Sequence, residues 1–221
     1  MSFRDFFGES RRDPRLERLI KAEIQDLLRA SHGINFGARY LDGKIMVPTP
    51  LIGSDDSWVI YSGDRAVLDA HAATLRALGG DVDLLGDDDG LASLHDLAML
   101  DVFFNGMAAF LHAAALAGAD GVPARTFLPH ALHVVSVLQG SMEGLARDVD
   151  AGRYPGDEDN LVMNGRALDH IVEASAARGI DPALPEAVRT LTRTAIEAGH
   201  GADGFSRVVD LLRRPVPVGA S

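Results

Sequence analysis

LASLHDLAMLDVFFNGMAAFLHAAALA, residues 91–117, has no proline and a single glycine, and its apolar residues cover nearly the whole circumference of a helix. At 1.5 Å per residue such a helix is roughly 40 Å long, comparable with the full width of a domain this size. A helix apolar on every side has to be covered on every side, and one small domain does not surround it. Asp96, Asp101, Asn105 and His112 speak against a bilayer span, because one Asp at a bilayer centre costs about 2.5 kcal/mol or more. The expectation is therefore a helix enclosed by two protomers, which gives an intertwined homodimer.

The sequence on either side differs in texture. N-terminal to the helix, ARYLDGKIMV (38–47) and SWVIYSGD (57–64) read as strands around the loop Pro48-Thr-Pro-Leu-Ile-Gly53. RAVLDAHAATLRAL (65–78) then reads as a helix stopped by Gly79-Gly80, and DVDLLG (81–86) as a strand. Three strands with one helix rarely stand alone. Beyond the long helix every segment reads as helical, roughly Pro123–Ala151, Asp159–Arg178, Pro185–Ala198 and Gly204–Arg213, with glycine- and proline-bearing breaks between them. At the front, Leu16, Leu19, Ile20, Ile24, Leu27 and Leu28 recur at helical spacing after Pro14. The fold class expected is thus a mixed α/β remnant followed by an all-α part. Its divisions are an extension with an amphipathic helix (1–37), an α/β segment (38–89), the long helix (90–118), a helical domain (119–214) and a tail (215–221).

Composition narrows the function. The 221 residues carry 21 Lys and Arg against 32 Asp and Glu, a formal charge of −11, and 47% of them are hydrophobic. That is ample for a core. The acidic balance, without a local basic cluster, argues against nucleic-acid and membrane-surface partners. Zero cysteines exclude disulfides, thiolate metal sites and a cysteine nucleophile. No apolar signal core follows Met1-Ser-Phe-Arg-Asp5, so a cytoplasmic protein is expected.

Motifs are few. Gly199-His-Gly201-Ala-Asp-Gly204 matches the dinucleotide pattern GxGxxG, but a helix precedes it and no acidic ribose partner follows at the required distance, so it reads as a helix–helix turn. His130 and His133 lie at i, i+3, and His95 adjoins Asp96, with no third ligand at metal-site spacing, so no metal is expected. Asp87-Asp88-Asp89 lacks the Glu of a calcium loop and reads as negative charge at a helix N-terminus. Asp96 stands apart. In an apolar helix an ionised carboxylate needs a partner, a water-filled cleft or a proton, and a carboxyl in apolar surroundings can serve as a general acid. Asp101, five residues on, points about 140° away and cannot share that site.

YLDGKIMVPTPLIG (40–53), YSGDRAVLDAHAATLRALGG (61–80), GLASLHDLAMLDVFFNGMAAFLHAAAL (90–116) and AGRYPGDEDNLVMN (151–164) together resemble the NADPH-dependent imine reductases and reductive aminases, relatives of the β-hydroxyacid dehydrogenases. The similarity covers about residues 38–214. It implies the C-terminal part of a Rossmann sheet joined by a long interdomain helix to a helical dimerisation domain, with two chains exchanging helices. It also implies a cleft between one chain's Rossmann domain and the other's helical domain.

By resemblance, Asp96 matches the family's carboxylate that orients or protonates the imine nitrogen. Phe104 falls where many members place a tyrosine, so a hydroxyl is missing there. Met46, Val47, Pro48 and Thr49 match the loop on the nicotinamide side of the cleft, and Met163 and Asn164 match residues walling the substrate pocket. The implied cofactor is NADPH and the implied substrate a small imine or amine. The departure is at the front, where residues 1–36 match neither the glycine-rich GxGxMG turn nor the βαβ units expected before YLDG. Without those amides NADPH affinity should fall steeply, leaving an inactive isolated chain. A full-length paralogue contributing the dinucleotide half would rebuild a cleft around Asp96 in a mixed dimer. The alternative is a non-catalytic dimerisation or regulatory module.

Overall fold

A computed structural model of the chain describes residues 39–79 and 82–213. The amphipathic helix expected within residues 14–33 and the tail beyond residue 213 lie outside these described residues. The chain divides into two compact units with the boundary between Met99 and Leu100.

The first unit holds strands β1 (Leu41–Ile45), β2 (Val59–Gly63) and β3 (Val82–Leu84) and helix α1 (Arg65–Leu75). The sheet order is β1-β2-β3, with β1 antiparallel and β3 parallel to β2. Strand alternation divides its faces. Gly43, Ile45, Val59, Tyr61, Val82 and Leu84 share one side by register, and Val59, Tyr61 and Leu68 of α1 form its buried core. Asp42, Lys44, Ile60 and Ser62 share the other. The strand expected over residues 38–47 is shorter as β1, although the Met46 N–H still donates to the Trp58 carbonyl at 2.8 Å. Pro48, which has no N–H to add to a ladder, then opens a 3₁₀ turn over Thr49–Leu51.

Helix α1 starts at Asp64, whose carboxylate accepts the Ala66 N–H at 2.8 Å and the Arg39 Nη2 at 2.6 Å. The Arg39 hydrogen bonds are the chief reason that this carboxyl titrates at about 2, with the Ala66 and Val67 amides adding to them and desolvation opposing. An unfolded Asp titrates near about 3.9. The folded value is the lower one, so the pair's stabilisation is present above that pH and is lost as pH falls toward 2. Asp64→Asn is thus expected to lower the melting temperature at pH 5 and to match the parent chain near pH 2, the difference shrinking in high salt because both side chains are partly exposed.

The long helix is α2 (Leu91–Ala119), and the unit boundary falls inside it. It is long and apolar enough to cross a membrane by length and composition alone. The sequence called for cover on every side and did not expect one small domain to supply it; a single chain leaves the helix largely uncovered. Only Ala92 is buried, while Leu94, Leu97, Val102, Phe103, Phe104 and Leu111 are each more than half exposed.

The second unit continues with α3 (Ala124–Ala151), α4 (Leu161–Ala177), α5 (Ala183–Ala195) and the short α6 (Val209–Leu212). Phe110 of α2 stacks on Phe127 of α3 with centroids 6.3 Å apart. Asp120 takes two hydrogen bonds from Arg178 just past α4. α3 ends at Gly152, whose left-handed backbone (φ +60°) lets its N–H and that of Arg153 return to the last turn. The core of this unit is Leu161, Ala195 and Val208, with Leu191, Ile196 and Leu211 around them.

Two helices expected from periodicity differ. The one expected over 185–198 begins at Ala183 and gives way after Ala195 to a wider turn over Ile196–His200, because Gly199 leaves helical dihedrals. The one expected over 204–213 is a 3₁₀ turn, Phe205–Val208, leading into α6. There Gly204 is bound to the Tyr154 carbonyl rather than to a helical neighbour.

Candidate active-site residues in the two units

In the first unit the start of α2 is pinned to the sheet. The Ala92 N–H donates to the buried Ser62 Oγ at 2.9 Å, and the Ser93 hydroxyl donates to Asp42 Oδ2 at 2.7 Å. Asp42 is itself buried and accepts from Lys44 Nζ at 3.1 Å. Burial pushes its carboxyl upward, but the Ser93 and Lys44 hydrogen bonds outweigh that and keep it below the usual aspartate range. Asp42 is therefore a fixed anion at this junction. Nothing singled out Asp42 or Ser93 in the sequence. The signal was the alternation of Leu41, Gly43 and Ile45 with Asp42 and Lys44, which marks a polar sheet face that some hydroxyl or cation must satisfy.

Asp96 lies three residues past Ser93, hence on the same side of α2. Its side chain is half-buried rather than enclosed in apolar surroundings. Met46 falls two positions beyond Lys44, on the strand side that carries Asp42. Asp96 and Met46 thus come off the two elements that the Asp42–Ser93 bond joins. Val47 is half-buried, and Pro48 and Thr49 are exposed at the 3₁₀ turn.

In the second unit Phe104 is 58% exposed on α2 and packs edge-on to Phe103. Met163 and Asn164 stand in the first turns of α4. Asn160 caps that helix, its side-chain oxygen accepting the Met163 N–H at 3.1 Å. The Met163 side chain is 55% exposed. Asn164 Nδ2 is shielded from solvent without a hydrogen-bond partner among the described residues. His130 and His133 are exposed on α3, and His95 turns its Nδ1 to the Leu91 carbonyl. Among the described residues no group of three or more His, Asp or Glu side chains is placed to hold a metal ion.

Residues 88–214 match the sequence model of the NADPH-dependent reductive aminase-like C-terminal domain. The chain belongs to that family. It is 31% identical over 180 residues to the NADPH-dependent reductive aminase of Aspergillus oryzae, a match covering 80% of this chain and 61% of the relative. Among solved structures it is similar to an imine reductase from Bacillus cereus (37% identity, TM-score 0.77, 80% of this chain and 62% of that one). It is also similar to the Aspergillus terreus reductive aminase in complex with NADPH and ethyl levulinate (35% identity, TM-score 0.74, 80% of this chain and 61% of that one). This reductive aminase-like chain spans about three fifths of the length of these relatives.

The described residues of the reductive aminase-like chain do not fit the diphosphate of a dinucleotide. Such a group is held by free amides where a strand runs into a helix. Two turns of that kind are described here. At Gly63-Asp64 the carboxylate of Asp64 already takes the helix amide of Ala66. Before α2 stand Asp87, Asp88 and Asp89, and Asp88 Oδ1 takes the Gly90 N–H at 2.9 Å. Each of these two turns has a carboxylate of its own on its amides, which disfavours a phosphate there.

Proposed function

We propose that this chain forms the carboxylate-bearing and substrate-walling part of a reductive aminase-type site, acting on a small imine or amine. NADPH supplies the hydride in the relatives that use it. In this reading Asp96 orients or protonates the imine nitrogen, Phe104, Met163 and Asn164 wall the substrate, and Met46 to Thr49 line the nicotinamide side. Two copies pair through the exposed apolar sides of α2 and α3, each enclosing the other's long helix; a full-length paralogue is the other candidate partner. The observation that carries the reading is the pinned start of α2. The bonds Ala92–Ser62 and Ser93–Asp42 fix the first turn, so Asp96, one turn on, has a defined position beside the sheet while remaining reachable.

One observation favours a second reading, a non-catalytic dimerisation module derived from this family: both described strand-to-helix turns carry aspartate where a dinucleotide diphosphate would bind. Calorimetry with NADPH separates the two. Saturable binding at micromolar NADPH supports the catalytic reading, with the diphosphate held outside the described residues. No binding up to millimolar NADPH, with the paralogue absent, supports the second, and the 221 residues by themselves would then reduce nothing. In any assembly that turns over a cyclic imine, Asp96→Asn is expected to lower the rate by roughly 10²–10⁴-fold. Unchanged turnover would remove Asp96 from the chemistry.

A further inference from the structure

A dense polar cluster of the second unit lies at the loop between α3 and α4. Tyr154, 9% exposed, donates its hydroxyl to Asp210 Oδ1 at 2.8 Å, and the Arg207 guanidinium lies 4.4 Å over its ring. Arg207 also donates to Asp210 Oδ2 at 2.9 Å and to Asp203 Oδ2 at 2.6 Å. Arg213 lies 3.9 Å from Asp210, the His200 ring 3.3 Å from Asp203, and Ser206 donates to Asp148 at 3.1 Å beside them. The backbone follows the same path. The Gly204 N–H donates to the Tyr154 carbonyl at 2.9 Å. A Cβ on Gly204 would run into the Pro155 carbonyl, and one on Gly156 into the Ala202 carbonyl, so the two strands of chain touch as closely as glycines allow.

This cluster leads directly to α4. The Asp203 carbonyl accepts the Leu161 N–H at 2.9 Å, and the Gly201 carbonyl accepts the Val162 N–H at 3.2 Å. These are the first amides of the helix, which have no acceptor within it. The next two residues are Met163 and Asn164.

We propose that Tyr154, Arg207 and Asp210 are positioning residues, a latch that holds residues 201–204 against the start of α4 and thereby sets where Met163 and Asn164 stand. The proposal rests on the reading of Met163 and Asn164 as substrate wall only for its effect on the ligand; the latch itself is a matter of hydrogen bonds. Tyr154→Phe keeps the ring under Arg207 and deletes one hydroxyl, so it releases the Asp210 contact with little loss of packing.

The test uses the full chain, amide hydrogen exchange and methionine-methyl NMR, with methylpyrroline, a small cyclic imine, as the probe. In Tyr154→Phe the Leu161 and Val162 amides are expected to exchange about fivefold faster, while amides at Val134–Leu138 in α3 keep their rates. The methylpyrroline-induced shift of the Met163 methyl should weaken in the variant although its melting transition is retained. Asp210→Asn, which keeps an acceptor for the tyrosine but loses the Arg207 pair, should act in the same direction and serves if the first variant folds poorly. Exchange at Leu161 and Val162 within about twofold of the parent in both variants overturns the latch. If exchange rises but methylpyrroline leaves Met163 unperturbed in the parent chain, the latch stands and the substrate-wall reading falls.

Discussion

Leu161→Ala is expected to cost the second unit roughly 2–5 kcal/mol, read as a lower urea midpoint with little change of slope. Leu161 is fully buried and meets Ala195 and Val208, with Leu191, Ile196 and Leu211 around them, so three elements lose a common partner at once. The residue is also the first of α4, its N–H fixed by the Asp203 carbonyl, which limits how far the helix can slide to close the cavity. Against a typical domain stability of about 5–15 kcal/mol, a loss of this size is a large fraction of the total. A midpoint shift equivalent to less than about 1 kcal/mol would mean that this cluster is not the core of the unit.

Phe103→Glu is expected to turn a two-chain particle into a single chain, measured by light scattering across the micromolar range. In one chain Phe103 is 59% exposed, and a substitution at such a site ordinarily changes stability by no more than about 0.5 kcal/mol. If two copies enclose α2 as proposed, the same change places an unpaired carboxylate in an apolar interface, a cost of several kcal/mol that association has to overcome. The large effect on mass beside a small effect on the folding of the single chain is the signature. A parent chain that is monomeric at these concentrations would remove the proposed pairing altogether.

The elements were legible in the sequence to within a few residues wherever a local pattern was strong. The 29 residues of α2 needed only the absence of proline and a near-continuous run of helix-forming apolar residues. β1 and β2 followed from short strand-forming runs on either side of the proline-bearing loop. The segment over 204–213 did not follow, because Phe205, Val208 and Leu211 repeat at helical spacing while the conformation is set by Gly204 bonding to Tyr154, fifty residues earlier. Periodicity reports which side of a segment is apolar; it does not report which distant carbonyl will claim an amide. The candidate site shows the same division. Asp96 stood out as a charge in an apolar helix, whereas Asp42 and Ser93, which fix that helix to the sheet, are ordinary residues until the fold brings them within 2.7 Å.

By itself the sequence determined the two-part character of the chain, the long apolar helix with its misplaced carboxylate, and, through its ordered motifs, the reductive aminase-like family. These are properties of composition, spacing and local propensity, all carried by neighbours along the chain. Only the tertiary structure decided that Asp96 sits one turn above a helix start pinned to β1 and β2, that both described strand-to-helix turns are occupied by aspartate, and that Tyr154 reaches Asp210. The reason is physical. A hydrogen bond between residues fifty positions apart gains nothing until the chain has already lost the entropy of bringing them together, so no local pattern records it.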